Sequence, residues 1–289
     1  MRADSLAGMV CLFIACGGVS ALLEAAWPDR AAAPKLTPER RVDWAWWPVS
    51  AFLTGNLTRA LTVGIVVGAA LLLGVAPTPF DVLPALVAHP FGIGRAAPVA
   101  QVAFALFVGD GVNYWNHRLR HGRWLWPFHA VHHGPVRLDW LSSARIHPVD
   151  DLVDGVSVGL VLVALGVPVQ VWLATGPFLL FFDMYVHANV ALPGTRLRWP
   201  RAVLARCVVG PAFHRHHHAA PMPTLGTGAR PCNYAGVFPA WDLVFGTFHL
   251  PPDAPAAFGT GEPTPSGLLA QLRQPFAIAG QRVAAALDG

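Results

Sequence analysis

The chain has 289 residues, of which 54% are hydrophobic and only 12% charged, with a mean hydropathy of +0.46. A soluble domain usually carries about 25% charged residues, so this composition excludes an ordinary soluble globule and indicates a membrane protein. The net charge of +4 comes with no groove-reading or aromatic-interleaved motif, which excludes nucleic acid as a partner. The four cysteines form no C-x-x-C pair and predict no disulfide framework.

Long apolar runs predict membrane-spanning helices, because a bilayer crossing needs about 20 mostly apolar residues. Residues 6–27 form the first run, which we expect to be retained as a span because it lacks a clear signal-peptide cleavage site. Residues 57–76 and 98–114 form the next two. Residues 152–185 are too long for one span, and Pro168 should break them into a helical hairpin at "GVP".

Basic residues between the runs predict the orientation. Arg30, Lys35, Arg40 and Arg41 lie between the first two runs, so this loop should be cytoplasmic. Residues 80–93 are apolar but short and should be interfacial or re-entrant on the far side. The hairpin would then return every histidine-rich segment to the cytoplasm. The predicted fold is an all-α integral membrane protein with four to five transmembrane helices and a cytoplasmic histidine-rich helical cap.

The rest of the chain divides into parts of different composition. We predict membrane spans and an interfacial segment over residues 1–97, a catalytic domain over 98–250, and a Pro/Gly-rich linker with a terminal helix over 251–289. That weakly amphipathic helix should lie on the membrane or pack on the body. Arginines near residue 200 predict a patch facing anionic lipid head groups. The patch consists of Arg196, Arg198, Arg201 and Arg206. The Arg-rich, lysine-poor composition suggests a bacterial inner membrane protein.

Nine of the 13 histidines recur at spacings that place side chains on one helical face. They are His117 and His121; His129, His132 and His133; His187; and His214, His217 and His218. One zinc ion uses at most four protein ligands, so nine imidazoles predict two metal ions. Imidazole suits zinc, copper, iron and nickel alike. The zinc-peptidase patterns are missing, and a haem would use only two histidines.

The ordered motifs "DGVNYWNHRLRH", "WPFHAVHHG", "LDWLSSARIHP", "MYVHANV", "PAFHRHHHA" and "NYAGVFPAWDLVFGTF" resemble the fatty acid hydroxylase / sterol desaturase superfamily of membrane diiron oxygenases. The resemblance implies that the nine histidines bind two iron ions, which zinc could replace on isolation, and that O2 is the oxidant. His147 is a weaker ligand candidate. The chain departs from its relatives at two positions: it has Ala235 where they carry glycine, and Ala191 where some of them carry a further histidine. The second departure would leave one metal ion short of a ligand, which water or Asn189 would supply.

Carboxylates near the histidines are candidates to accept their outer N–H groups, as metal-bound histidines usually require. Asp183 precedes His187 by four residues and Asp110 precedes His117 by seven, each on the histidine's helical face. Asp242 is a further candidate.

The resemblance implies an O2-dependent lipid hydroxylase, acting on a fatty acyl chain, an ornithine-type lipid or a sterol, or a desaturase of the same superfamily. A membrane zinc-binding protein or a haem electron carrier is the alternative of another class. The sequence has no dinucleotide-binding G-x-G-x-x-G after a strand. Electrons must therefore come from an external donor, a ferredoxin or a cytochrome with its reductase.

Overall fold

The computed structural model describes residues 6–30, 37–191, 198–220, 231–261 and 264–287. Across these residues the fold is all helical, and no strand forms among them. Short 3-10 and π-helical turns join the α-helices, which are α1 (Leu6–Ala26), α2 (Pro38–Pro48), α3 (Gly55–Leu72), α4 (Val82–Ala88), α5 (Pro98–Arg120), α6 (Trp126–His129), α7 (Pro148–Ala164), α8 (Val169–His187), α9 (Arg198–Cys207), α10 (Pro211–His217), α11 (Ala240–Phe245) and α12 (Leu268–Leu287).

Three helices in the described part of the chain are long and apolar enough to cross a membrane. They are Ala7–Ala26 in α1, the continuous helix Pro38–Leu72 that joins α2 to α3 through a π-helical turn, and α8. The predicted all-α membrane fold is confirmed. The count of four to five spans stays a prediction, because α7 has only 17 residues and three aspartates. The three-part division of the chain also stays a prediction.

The chain reverses direction between α7 and α8, at the break that the sequence predicts. Gly166 has φ +84°, a left-handed conformation that glycine adopts without steric cost. The apolar segment around α4 folds against this turn, where the Ile93 N–H donates to the Leu165 carbonyl at 3.2 Å. Consequently α8 returns His187 to the end of the molecule at which α7 begins.

Two glycines bring α7 close to α3. Gly155 and Gly159 lie one turn apart and face the side chains of Thr58 and Thr62. A Cβ at either glycine would collide with the facing threonine, and small residues of this kind allow close helix approach in membranes. The contact fixes the position of the first turn of α7, which lies beside the histidines.

Two buried apolar clusters flank the histidine end of the helices. One joins α1, α8 and the 3-10 helix Trp140–Ala144. The other joins α5, α8, α10 and residues 234–237. The end of α1 is also fixed by Glu24, whose carboxylate accepts the N–H groups of Trp140 and Asn189 at 2.9 Å each. The histidine-bearing elements are therefore packed from both sides.

Candidate metal centre

Four helix ends deliver the nine predicted histidines to one place. His117 lies in the last turn of α5 and His121 directly follows that helix. α6 ends at His129, α8 ends at His187, and α10 runs from Pro211 to His217. Proline at the start of α10 suits a first helical turn, because its missing N–H has no intrahelical partner there.

The structure sorts the nine histidines into two adjacent groups, and all nine side chains are buried. Within each group the candidate ligand atoms lie within 4.8 Å of one another. The groups touch where the rings of His133 and His218 stack with centroids 4.2 Å apart. The five-histidine group is His117, His121, His129, His133 and His217, and the four-histidine group is His132, His187, His214 and His218.

Five histidines use the outer nitrogen Nδ1 for a hydrogen bond to a fixed acceptor. The pairs are His117 with the Tyr234 carbonyl (2.8 Å), His217 with the Cys232 carbonyl (2.7 Å), His132 with the Arg145 carbonyl (3.2 Å), His187 with the Asp183 carbonyl (2.8 Å) and His129 with the Asp150 carboxylate (3.1 Å). Such partners fix the ring orientation of metal-binding histidines.

A carbonyl oxygen only accepts, so Nδ1 must carry the proton wherever it bonds to a carbonyl, and Nε2 then presents a lone pair. His132 and His187 are both fixed in this way, yet their Nε2 atoms lie 3.3 Å apart. His217 is also fixed, and its Nε2 lies 3.1 Å from Nε2 of His133 and 3.2 Å from Nε2 of His121. The lone pairs of His132 and His187 thus face each other, and in a buried site they repel unless a cation lies between them.

The nitrogen separations match the edges of a metal coordination shell. Facing Nε2 pairs in the two groups are 3.0–3.3 Å apart. With metal–nitrogen bonds of about 2.1 Å, neighbouring ligands lie about 3.0 Å apart in an octahedron and about 3.4 Å apart in a tetrahedron. The Nε2 atom of His117 is buried and has no hydrogen-bond partner among the described residues, as a ligand atom would be. Both groups therefore fit a metal ion.

Burial also prepares the imidazoles for metal binding. It lowers the pKa of His217 to about 4 and the pKa of His133, His214 and His218 well below the ordinary value of 6.5. These side chains are therefore neutral at physiological pH, and a neutral imidazole is the form that binds a metal.

The predicted carboxylate Asp110 contacts the loop that braces the five-histidine group instead of a histidine. It accepts the N–H groups of Gly236, Val237 and Phe238 at 2.8–2.9 Å. The Asp242 carboxylate accepts the N–H groups of Tyr234 and Ala235, at 2.8 and 2.9 Å. Together the two carboxylates hold residues 234–238, which include the Tyr234 carbonyl that bonds to His117 and directly follow the turn that carries the Cys232 carbonyl.

The alanine at residue 235 causes no backbone strain. Among the described non-glycine residues, the one with positive φ is Asn233 (φ 60°), and asparagine tolerates this conformation. Its side-chain amide donates to the carbonyls of Phe213 and His249 at 2.9 and 2.6 Å. The left-handed turn therefore lies two residues before Ala235.

Three further predicted residues have structural contacts. His147 caps α7 by accepting the Val149 N–H at 3.1 Å, and its Nε2 lies 3.2 Å from the Leu272 carbonyl. It belongs to neither histidine group. The Asn189 carboxamide bonds to Arg30 and Arg215. The Asp183 carboxylate is 44% exposed and lies 3.4 Å from His187 Nδ1, which bonds instead to the Asp183 carbonyl.

Sequence reasoning missed Asp150, whose carboxylate lies 3.1 Å from His129 Nδ1 and is the one among the described residues that pairs with a histidine of either group within normal hydrogen-bond distance. It lies three residues after His147 in "RIHPVDD", and its position in the acidic first turn of α7 was the available signal. Of the predicted arginine patch, Arg206 stacks over the Phe248 ring at 5.5 Å. Arg196 and the side chains of Arg198 and Arg201 lie outside the described residues.

Comparison with known families decides which of the predicted classes applies. The profile of the fatty acid hydroxylase family matches residues 102–247, which contain all nine histidines. The chain belongs to the fatty acid hydroxylase family. No solved structure matches it.

Curated relatives act on different lipids. Ornithine lipid hydroxylase OlsE of Rhizobium tropici is 32% identical over 202 residues, which are 69% of this chain and 57% of that protein. Methylsterol monooxygenase 2-2 of Arabidopsis thaliana is 30% identical over 154 residues, 51% and 52% of the two chains. Very-long-chain aldehyde decarbonylase GL1-11 of Oryza sativa is 30% identical over 155 residues, 52% of each. The chain thus spans little more than half the length of these relatives.

Proposed function

We propose that this protein is a membrane-bound, O2-dependent lipid hydroxylase with two iron ions. The observation that carries the proposal is the convergence of nine buried imidazoles, in two adjacent groups, at the end of helices long and apolar enough to cross a membrane. The family membership and the oxygenase names of two relatives support it.

The nine histidines of the two groups would hold the metal pair. Iron suits nitrogen ligands, and oxidation of a C–H bond needs a redox-active metal, which zinc is not. When bound, iron supplies the O2 activation that acid–base side chains lack. The overall reaction converts a C–H bond, O2, two electrons and two protons into an alcohol and water. The electrons would come from an external ferredoxin, or from a cytochrome with its reductase.

The chain's own residues orient and shield this site. The carbonyls and the Asp150 carboxylate hold five imidazoles with Nε2 directed at one another. Burial of all nine side chains keeps bulk water from the metal positions. A lipid would reach the site from the membrane, because α1, Pro38–Leu72 and α8 all reach this end of the molecule. An ornithine-type lipid is the first substrate to test, in view of the relative from Rhizobium tropici.

The charge distribution supports a cytoplasmic position for the metal site. Arg40 pairs with Asp139 and Arg145 pairs with Asp43 at the histidine end. At the opposite end, residues 73–97 contain one arginine, Arg95, and no lysine. Basic residues accumulate on the cytoplasmic side of membrane proteins, so we infer that the histidine end faces the cytoplasm of a bacterial inner membrane.

The test is mass spectrometry of total lipids from bacteria that express the protein with a compatible ferredoxin and reductase. The wild type should produce a lipid that has gained one oxygen atom, and His133→Ala should not, because it removes a buried ligand. His216→Ala is the matched control. This half-buried neighbour lies against His249 with ring centroids 5.9 Å apart and belongs to neither histidine group, so its product should persist.

Other outcomes would change the assignment. A lipid that loses two hydrogens would identify a desaturase instead. Equal product from the wild type and His133→Ala would refute the ligand assignment. Purified wild-type protein that contains zinc and forms no oxidised lipid after iron loading would favour the zinc-binding alternative, and a haem absorption band would favour the electron carrier.

A further inference from the structure

The C-terminal helix α12 has one face that packs on the protein and another that does not. Gln271 and Pro275 are buried, and Gln271 accepts the Trp46 indole N–H at 2.7 Å. The Leu272 carbonyl lies 3.2 Å from His147 Nε2, and the Arg282 guanidinium donates to the Arg123 carbonyl. The body of the protein therefore holds α12 from Gln271 to Arg282.

The exposed side of α12 carries an apolar stripe, of which one member, Phe276, also contacts the rings of Phe128 and His147 with centroids 5.1 and 5.5 Å apart. Leu269, Phe276, Val283 and Leu287 are spaced by seven, seven and four residues, which places them along one side of a helix. Their exposed fractions are 58%, 58%, 48% and 82%. An exposed contiguous row of large apolar side chains marks a surface that contacts lipid or another protein.

The contacts of α12 place it at the histidine ends of the long helices. His147 caps the first turn of α7, and Arg123 follows the last turn of α5. Trp46 lies near the start of the candidate span Pro38–Leu72, whose neighbouring Trp44 is exposed. Because these helix ends and exposed tryptophans mark a membrane boundary, α12 runs across the molecule at the level of the lipid head groups.

The charge of α12 suits the same surface. Residues 268–287 contain Arg273 and Arg282 and no acidic side chain. A helix with an apolar stripe and basic residues binds in the interface plane, with its apolar side chains among the acyl chains. Basic residues at this depth attract anionic lipid.

We propose that α12 lies in the membrane–water interface, with Leu269, Phe276, Val283 and Leu287 inserted into the lipid. The occupant of this face is an anionic bilayer, which continues from the apolar surface of Pro38–Leu72. The inference is independent of the proposed hydroxylase activity, because it concerns how the cap lies on the membrane.

Depth-dependent fluorescence quenching of the full-length protein tests this placement. The exposed cysteines Cys11 and Cys207 and the half-buried Cys232 are first replaced by serine, which leaves the buried Cys16. Leu269→Cys and Val283→Cys place a single thiol-linked NBD label on the stripe. Gln274→Cys and Gln281→Cys are the matched controls, since both glutamines are exposed and lie more than a quarter turn from the stripe.

The labelled proteins are reconstituted into vesicles of phosphatidylethanolamine and phosphatidylglycerol with brominated acyl chains. We expect the brominated lipid to quench the stripe labels strongly and aqueous iodide to quench the glutamine labels. Iodide quenching of the stripe labels equal to that of the controls would refute insertion. Protection from both quenchers, with self-quenching between labels, would refute it in favour of a second copy of the chain.

Discussion

The two histidine groups differ in how firmly the surrounding protein holds them. In the five-histidine group three members are braced at Nδ1, one of them by the Asp150 carboxylate. In the four-histidine group two members are braced, both by backbone carbonyls. Among the described residues, Nδ1 has no partner in His214 and His218, which are half of the four-histidine group, and in His133 of the five-histidine group. We therefore expect the five-histidine group to bind its metal more tightly.

The difference follows from the spacing of the histidines. Two histidines that are four residues apart belong to the same group. A histidine three residues after another belongs to the other group: His132 follows His129, and His217 follows His214. One residue turns a helix by about 100°, so adjacent histidines point at different metal positions. His187 has no partner four residues on, because that position is Ala191. With two metal ions bound as proposed, the four-histidine group is the one that would be short of a protein ligand.

Alanine substitutions should separate the two groups most strongly. His214→Ala would leave three imidazoles in the four-histidine group, and we expect purified protein to lose about one of two metal ions, because the group would fall below the four protein ligands of a closed site. His217→Ala would leave four imidazoles in its group, and most of the metal should be retained. Inductively coupled plasma mass spectrometry after dialysis against a weak chelator measures both.

His216→Ala controls for general damage to α10 and should keep both ions. Equal metal loss from His214→Ala and His217→Ala would contradict the expected difference between the groups.

Removal of Asp110 should loosen the five-histidine group alone. Asp110→Ala would leave three N–H groups of residues 236–238 without their acceptor, and buried unpaired donors cost about 1–3 kcal/mol each. We expect a fall of about 3 kcal/mol or more in the free energy of unfolding. Thermal unfolding in detergent measures this loss, and unchanged stability with unchanged metal content would exclude a positioning role for Asp110.

A milder change, at the carboxylate that pairs with His129, should lower the affinity for one metal ion without unfolding the protein. Asp150→Asn keeps the size of the side chain and removes the charge beside His129. Mutation of such partners typically weakens metal binding about 10–100-fold, which competition with a chelating dye measures. Asp183→Asn is the control and should have little effect, because the backbone carbonyl of Asp183 braces His187. A larger loss of metal affinity in Asp183→Asn than in Asp150→Asn would show that the hydrogen-bond partners of His129 and His187 are wrongly assigned.

The smallest expected effect is that of a histidine placed at residue 191, where some relatives carry one that would be a fifth ligand of the four-histidine group. Ala191 is exposed, and its N–H donates to the Trp27 carbonyl at 2.9 Å, beyond the end of α8. We expect Ala191→His to leave metal content and stability unchanged, within about 0.5 kcal/mol. An increase in chelator resistance would show that the chain can rearrange to complete the four-histidine group.

The helical membrane fold and the nine histidines could be predicted because both depend on local spacing. The hairpin break at Pro168 is visible for the same reason. The hydrogen-bond acceptors of the histidines could not be predicted, because most are backbone carbonyls, such as those of Cys232 and Arg145, and every residue type has a backbone carbonyl. Asp183 was expected to brace His187 through its carboxylate, but a carbonyl in the same helical turn lies closer to Nδ1.

The helix Pro38–Leu72 is longer than a bilayer is thick. Its 35 residues extend about 52 Å at 1.5 Å per residue, against a hydrocarbon core of about 30 Å. The part that extends beyond the hydrocarbon core into the head-group region carries Asp43 and Trp46, which bind Arg145 and α12. For the proposed hydroxylase we therefore expect the oxidised carbon to lie at a fixed distance from the lipid head group and not from the end of the acyl chain, because these contacts hold the histidine end of the helix at one depth.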